Sequence, residues 1–285
     1  TGLIAVDAGT YSASETVPTG WSLTSSSCDS GTPASFNVPA GGTVTCTFND
    51  TKKGKIIVEK QTLPDGSSQS FNFTPSYGSN FSLTDGQTND SSFLDPGTYS
   101  VDELTPAGWD ETSAICDDGS PVTAIVVGAG ETVTCTFTNT QRGSISGYKF
   151  EDEDGDIGTT GDQTPVVGWV IQLWSCITDF NNCTNTGQTD TTDGTGFFSF
   201  ENLMPGLYKL AEVIQTGWTN LTSSSVEVTL DTGEEDTNND FVNTQFGKII
   251  IDKVTNPSGS GQEFSFSLTG GPSVLNQNFS LTDAD

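Results

Sequence analysis

Histidine is absent from this 285-residue chain. Without an imidazole there is no Ser-His-Asp or Cys-His nucleophile system. Basic residues are scarce too: nine Lys and Arg stand against 37 Asp and Glu, a net charge of −28. Such a surface attracts neither phosphate backbones nor anionic headgroups, which disfavours nucleic acid and anionic membranes as partners and favours cations and solubility. No apolar run approaches the roughly 20 residues of a membrane-spanning helix. No secretory leader is recognisable, so the expectation is a unit interior to a processed precursor. Long stretches of helical period are also missing. Ser, Thr, Gly, Asn and Asp dominate what is there. Hydrophobic residues make up 32%, with 17 Phe and 5 Trp, enough for small β-rich cores.

The chain repeats itself. Residues 54–142 open with GKIIVEK, pass through LDPGTYSVDELTPAGW and close on TVTCTFTNTQR. Residues 247–285 open with a near copy, GKIIIDK, and run through NFSLTD. The remaining motifs stand at the other end, where residues 1–53 carry DAGTYSASETVPTGW and TVTCTFNDTKK. The two pieces hold 39 and 53 residues, 92 together, against 89 for the intact copy. Neither piece can bury its apolar face alone, so residues 247–285 are expected to be the N-terminal half of a domain whose C-terminal half is residues 1–53 of a neighbouring repeat or subunit. Residues 143–246 form a third version, in which MPGLYKLAEVIQTGW takes the place of DPGTYSVDELTPAGW. Short alternating runs bounded by Gly, Pro, Asn and Asp at about ten-residue spacing predict an all-β chain of tandem antiparallel β-sandwiches, Ig- or transthyretin-like, with helix near zero.

Six cysteines fall in three local pairs, Cys28/Cys46, Cys116/Cys135 and Cys176/Cys183. The first two pairs occupy equivalent positions in the two copies, as free thiols would have no reason to do. Three intradomain disulfides and an oxidising, extracellular compartment are expected. A zinc site is a poor alternative, because neither a CxxC motif nor a histidine accompanies them.

GKIIVEK, PGTYSVDE and TFTNT resemble the transthyretin-like (prealbumin-like) B-type domains of collagen adhesins and Spa-type pilins. Residues 143–246, with GYKFEDEDGDIG, VVGWVIQLW, TDGTGFFSFENLMPG and EVIQTGW, resemble the serine–aspartate-repeat B-domain, a calcium-binding relative. Together these resemblances cover essentially the whole chain. They imply surface stalks, pili and adhesins rather than enzymes.

Of only eight lysines, Lys60, Lys149 and Lys253 sit in one register, six residues after Gly54, Gly143 and Gly247. Residues two apart share a strand face. Lys60 is thus in phase with Ile56 and Val58, and Lys253 with Ile249 and Ile251. Glu103, Glu15 and Glu212 are each in phase with a tyrosine four residues earlier. Asn139, Asp50 and Asn243 follow Phe137, Phe48 and Phe241 by two. Burial lowers a lysine pKa and raises a glutamate pKa. A neutral amine beside a protonated acid can attack an Asn or Asp side-chain carbonyl while the Glu shuttles protons. The expected product is an isopeptide bond, and the resemblance implies the same. By position the trios are Lys60/Glu103/Asn139, Lys149/Glu212/Asn243 and Lys253/Glu15/Asp50, with water rather than ammonia leaving in the last. The competing reading places these lysines at strand ends, snorkelling to solvent beside paired glutamates. For Lys149 the cross-link is the weaker case, because calcium-binding relatives often do without it.

Asp152, Asp154, Asp156 and Asp162, with the Gly158 carbonyl, place oxygens along one short loop, and dense like charge calls for a counter-ion; Ca2+ is expected. The spacing departs from an EF-hand, so Asp190 or Asp193 are candidate further ligands. The alternative is a solvated acidic hairpin. Residues 231–240 (DTGEEDTNND) have no ligand spacing and read as a solvated turn. Asn-x-Ser/Thr sequons occur at Asn49, Asn72, Asn80, Asn89, Asn182, Asn220 and Asn278. Asn80 and Asn278 hold the same place in both copies, and Asn72 and Asn220 are further glycosylation candidates. Trp21, Trp109 and Trp218 recur in every unit and read as scaffold rather than as sugar platforms. The leading expectation is the repeating unit of an extracellular filament, pilus or cell-surface stalk, a homopolymer of identical repeats or subunits. The alternative is an adhesin module holding glycan or protein at sandwich-end loops. A glycosidase pair has no marked cleft, so no enzyme is expected beyond self-cross-linking.

Overall fold

The computed structural model describes residues 2–270 and 275–283. It is almost wholly β; the one helical element among the described residues is a 3-10 turn at Thr160–Asp162. Two compact units partition the chain: one holds residues 1–150, 165–213 and 222–241, the other residues 151–164, 214–221 and 242–285.

Within the first unit, residues 54–142 make a complete sandwich. One sheet runs in the order Trp109–Cys116, Thr132–Gln141, Lys55–Leu63, Thr88–Asp90, and the facing sheet in the order Val101–Leu104, Phe71–Pro75, Phe81–Leu83. Strand alternation explains the layering. Lys55–Leu63 reads part-buried, buried, part-buried in strict period two, and Phe71–Pro75 alternates buried and exposed. Ile56, Val58, Phe71, Phe73, Val101, Ile125, Val133, Cys135 and Phe137 form the core between the sheets. One pairing is parallel: the first strand, Lys55–Leu63, lies beside the last, Thr132–Gln141, with Lys60 opposite Phe137. Cys116 and Cys135 face each other across an antiparallel pair and are bonded.

Residues 143–213 and 222–241 repeat the theme. Val170–Cys176 lies between Cys183–Thr191 and Gly206–Glu212, and Gly206–Glu212 pairs on with Ser225–Leu230. Strand Gly143–Asp152 pairs antiparallel with Phe197–Leu203. Ile145, Trp169, Ile171, Leu173, Phe198 and Leu210 are buried inside. Cys176 and Cys183 are bonded.

The junctions between these domains are short. Only Lys53 and Gly54 separate strand Cys46–Lys52 from Lys55–Leu63, and only Arg142 separates Thr132–Gln141 from Gly143–Asp152. Lys53 Nζ lies 3.3 Å from Asp95, while Arg142 donates to Asp110 at 2.7 Å and to the Asn202 carbonyl at 2.8 Å. A side chain on Gly54 would strike Val127 and the Glu131 carbonyl, and one on Gly143 would strike the Glu234 carbonyl. These glycines are therefore required by close approach.

The flanking pieces hold partial sheets. In residues 2–53, Trp21–Cys28 pairs with Cys46–Lys52 and Gly9–Tyr11 with Phe36–Val38. The Cys28–Cys46 disulfide and a β-bulge between Leu23 and Ser25 match Cys116–Cys135 and the bulge between Glu111 and Ser113. In the second unit, Phe264–Gly270 pairs with Leu275–Leu281. The strand expected over GKIIIDK is not formed. Its counterpart in the intact domain, Lys55–Leu63, is paired with the last strand, Thr132–Gln141.

Candidate cross-link centres and acidic loop

The first strand, the last strand and the Tyr-x-hydrophobic-x-Glu strand of residues 54–142 converge on Lys60. Its side chain is fully buried, as is that of Glu103, and Asn139 is buried beside them. Lys60 Nζ donates to Asn139 Oδ1 at 2.6 Å, to the Gln61 carbonyl at 2.8 Å and to the Phe137 carbonyl at 3.2 Å. Asn139 Nδ2 donates in turn to Glu103 Oε1 at 2.5 Å, and Glu103 Oε2 lies 3.6 Å from Nζ. Phe71 floors the site, its ring centre 4.1 Å from Nζ. Burial pushes Lys60 below its ordinary value against the opposing pull of the Glu103 charge. Burial likewise pushes Glu103 up, opposed by Lys60 and Asn139. Desolvation thus favours the uncharged form of both partners. Amine, carboxamide and carboxyl meet in one dry place, which suits amide transfer with internal proton exchange. Neither Lys60 nor Lys149 snorkels; both are 0% exposed, so the strand-end reading fails for them.

Lys149 has a similar setting. Nζ lies 3.7 Å from Glu212, 4.8 Å from the Trp169 ring centre, and donates to the Phe150 and Phe241 carbonyls at 3.1 and 3.3 Å. Asn243 is buried on strand Phe241–Gln245, which pairs with Trp218–Asn220.

The third trio is distributed over the two flanking pieces. Glu15 and Asp50 meet in residues 2–53, where desolvation, then the hydrogen bond and charge of Asp50, push Glu15 up. Asp50 Oδ1 is shielded from solvent without a hydrogen-bond partner among the described residues. Lys253, in the other piece, stands 4.0 Å from the Phe264 ring centre and donates to the Val254 carbonyl at 2.6 Å. That repeats how Lys60 uses Phe71 and Gln61.

In the acidic loop Asp152, Asp154 and Asp162 bring oxygens within 4.8 Å of one another. Asp156 is outside this cluster: it accepts from the Gly158 amide at 3.0 Å, closing a turn. Asp190 and Asp193 accept the amides of Ser199 and of Thr195 and Phe197, in their own hairpin. Three carboxylates make a hard-oxygen set that fits Ca2+, and Asp162 Oδ1 is shielded yet has no hydrogen-bond partner among the described residues. The amide of Asp156 and the Thr159 hydroxyl hold Asp154 below the usual carboxylate range.

Of the sequons, Asn72, Asn80 and Asn278 are exposed, and Asn220 is half-buried. Trp109 is 8% exposed and packs edge-on against Phe71, a scaffold role as expected. Two features escaped the sequence reading. Asp85 accepts the amides of Thr62 and Gly66, and Asp283 those of Thr255 and Gly259. The signal was present in the shared FSLTD. Tyr11, Tyr99 and Tyr208 each donate to the carbonyl four residues back, at Asp7, Asp95 and Met204.

Residues 56–141 match a SpaA-type family profile described as a prealbumin-like fold domain, and residues 2–48 match a second profile of the same description. These segments are prealbumin-like. Serine-aspartate repeat-containing protein C of Staphylococcus aureus (strain Newman) is 30% identical over 156 residues, covering 50% of this chain and 16% of that protein. The chain therefore spans about a sixth of the length of the curated relatives it matches. Among solved structures, the Bacillus anthracis TIE protein aligns at 15% identity and TM-score 0.35, over 87% of this chain and 48% of that one. The minor pilin GBS52 of Streptococcus agalactiae aligns at 12% and 0.30, over 70% and 99%. The shaft pilin SpaA of Lactobacillus rhamnosus GG aligns at 11% and 0.30, over 70% and 100%. No helix among the described residues is long and apolar enough to cross a membrane.

Proposed function

We propose that this chain is a structural repeating unit of an extracellular filament, pilus or surface stalk, made rigid by covalent closure of its prealbumin-like domains. The observation that carries the reading is the buried Lys60–Asn139–Glu103 constellation, which bridges the first and last strands of residues 54–142. Neutral Lys60 Nζ attacks Asn139 Cγ; protonated Glu103 gives its proton to the departing Nδ2 and takes up the amine proton in its place. A Nζ–Cγ amide forms, the Cγ–Nδ2 bond breaks and ammonia leaves. Tension applied at the two ends then passes through the amide, and the 79-residue separation between its partners is never extended. Three disulfides support an oxidising, extracellular setting. Peptide mapping of denatured, reduced protein tests the reading. A branched Lys60–Asn139 peptide lighter by one ammonia is expected; separate unmodified peptides from aged, folded protein would overturn it.

Calcium belongs to the same proposal, held by Asp152, Asp154 and Asp162. The ion would supply the positive charge that three clustered carboxylates lack, and brace the loop. Limited proteolysis with and without chelator is the check: cuts between Asp152 and Asp162 should appear on chelation, and an unchanged pattern would remove the ion from the account.

A further inference from the structure

We infer that the outer face of the strand pair Gly143–Asp152 and Phe197–Leu203 docks a cationic peptide of a partner protein. Tyr148, Phe150 and Phe197 take an arginine guanidinium, with Asp193 and Asp240 beside them. The inference does not rest on the cross-link reading; it adds a partner to the filament unit.

Strand alternation sends Lys149 inward and leaves Tyr148 and Phe150 on the outer face. Tyr148 stands directly opposite Phe197 in the antiparallel pair, so the third ring shares that face. Tyr148 is 40% exposed, and the two phenylalanines are half-buried. Tyr148 and Phe150 lie nearly parallel, 24° between planes and 6.0 Å between centres, while Phe197 tilts 60° against Tyr148 at 5.3 Å. The fold does not require these rings. In residues 54–142, Glu59 and Gln61 stand as far from Gly54 as Tyr148 and Phe150 stand from Gly143, and Thr88 is opposite Glu59. There the same face is polar, with Gln61 donating to Glu59 at 2.6 Å. The core lies on the other side of the sheet, so three aromatic rings add nothing to it. A contiguous aromatic patch held against water in one domain and absent from its sister has a use outside the domain.

Charge selects the occupant. Residues 143–246 carry seventeen Asp and Glu against two Lys. Among the described residues, Lys149 is buried on the inner side, and Lys209, on the other sheet, lies 3.8 Å from Glu227. Carboxylates border the rings directly. Asp240 accepts the Tyr148 amide at 2.9 Å, and Asp193 accepts the Phe197 amide at 3.0 Å. Asn239 holds the chain beside Asp240 in place, its side-chain amide donating to the Ser146 carbonyl at 3.0 Å. The hydroxyl and amide of Thr195, then the amide of Phe197, keep Asp193 below the usual carboxylate range, and so ionised. Ring faces are electron-rich and attract cations, and the two carboxylates add to that attraction. A guanidinium suits both: it lies flat on a ring while its edge N–H groups reach a carboxylate, whereas an ammonium is a point charge. A neutral sugar would use the rings but gain nothing from the acidic surround, and an anionic one would be repelled.

The test is calorimetric titration of the full chain with a hexa-arginine peptide at about 0.15 M salt, where long-range attraction is screened. Hexa-lysine, hexa-glutamine and a neutral chitin hexamer serve as comparisons. Saturable binding of hexa-arginine is expected, tighter than hexa-lysine, with no binding of the two neutral probes. The deciding variant transplants the sister face: Tyr148→Glu, Phe150→Gln and Phe197→Thr together. It removes the rings while making the surface more acidic, so it should weaken hexa-arginine by about tenfold. Unchanged or tighter binding would mean that net charge alone holds the peptide, and would overturn the inference. So would equal affinity for hexa-arginine and hexa-lysine, or binding of the chitin hexamer in place of hexa-arginine. If the triple variant fails to melt cooperatively, Tyr148→Ser, which changes one exposed ring, decides instead. A loss of about threefold is expected from it, and no loss overturns the assignment.

Discussion

Residues 54–142 and the two flanking pieces share their turns, their tyrosine ties, their bulge and their disulfide, yet differ sharply in what they bury. Trp21–Cys28 and Cys46–Lys52 pair in the same pattern as Trp109–Cys116 and Thr132–Gln141. Hairpins, cross-strand disulfides and Asp-anchored turns are thus specified by nearby residues. The core is not. In residues 54–142 it forms where the parallel pairing of first and last strands brings the two sheets into register, whereas the GKIIIDK segment forms no strand. Local order and a closed core are separable in this fold.

The largest effect should come from preventing the proposed covalent closure of residues 54–142. Glu103→Ala should leave Lys60 and Asn139 unlinked. Releasing a 79-residue loop is worth about 4–5 kcal/mol in the chain-entropy treatment of cross-links, so the melting temperature of that domain should fall by about 20 °C. Calorimetry would show it, while Glu15→Ala in residues 2–53 should leave that transition in place. Equal losses from both would erase the contrast.

Next in size is the aromatic floor. Phe71→Ala should destabilise residues 54–142 by about 3–5 kcal/mol, because a fully buried ring is lost. Phe264→Ala should change stability by less than about 1 kcal/mol, since that ring still meets water. Urea titration of the two variants measures the difference.

The smallest effect concerns acid. Burial raises Asp85, but the amides of Gly66 and Thr62 outweigh it and hold the group below its ordinary value. A carboxylate depressed by folding stabilises above its unfolded value of about 3.9, and that contribution is lost as pH falls through the lower folded value. Asp85→Asn should therefore cost about 1 kcal/mol at neutral pH and flatten the acid limb of the stability curve. Asp283 is depressed too, first by the Thr255 hydroxyl and then by the amides of Thr255 and Gly259. Asp283→Asn should leave the melting transition of residues 54–142 unshifted.

Much of this was legible before any coordinates, because a period of two fixes the face on which a residue lies. That was enough to place Lys60, Glu103 and Asn139 on the inner side, and duplication was enough to pair Cys28 with Cys46 and Cys116 with Cys135. Period alone cannot say which strands are neighbours; the expected Lys60–Asn139 bond implied that the first and last strands adjoin, but not that Lys55–Leu63 and Thr132–Gln141 pair in parallel. Alternating aspartates also serve two ends equally well. Asp152, Asp154 and Asp162 cluster, but Asp156 caps its own turn, and spacing does not distinguish the two uses. Asp85 went unnoticed although FSLTD recurs in both copies, because its partners are backbone amides, which a sequence does not single out.

The short junctions have an elastic consequence. A flexible connector lengthens by up to about 3.3–3.6 Å for each residue drawn straight, and so absorbs a sudden pull before any domain feels it. Here one or two residues separate the last strand of one sandwich from the first strand of the next, and Lys53 and Arg142 pin even those. At these two junctions there is almost no compliance in series with the sheets. A tug across either one reaches the hydrogen-bond ladders on both sides at once.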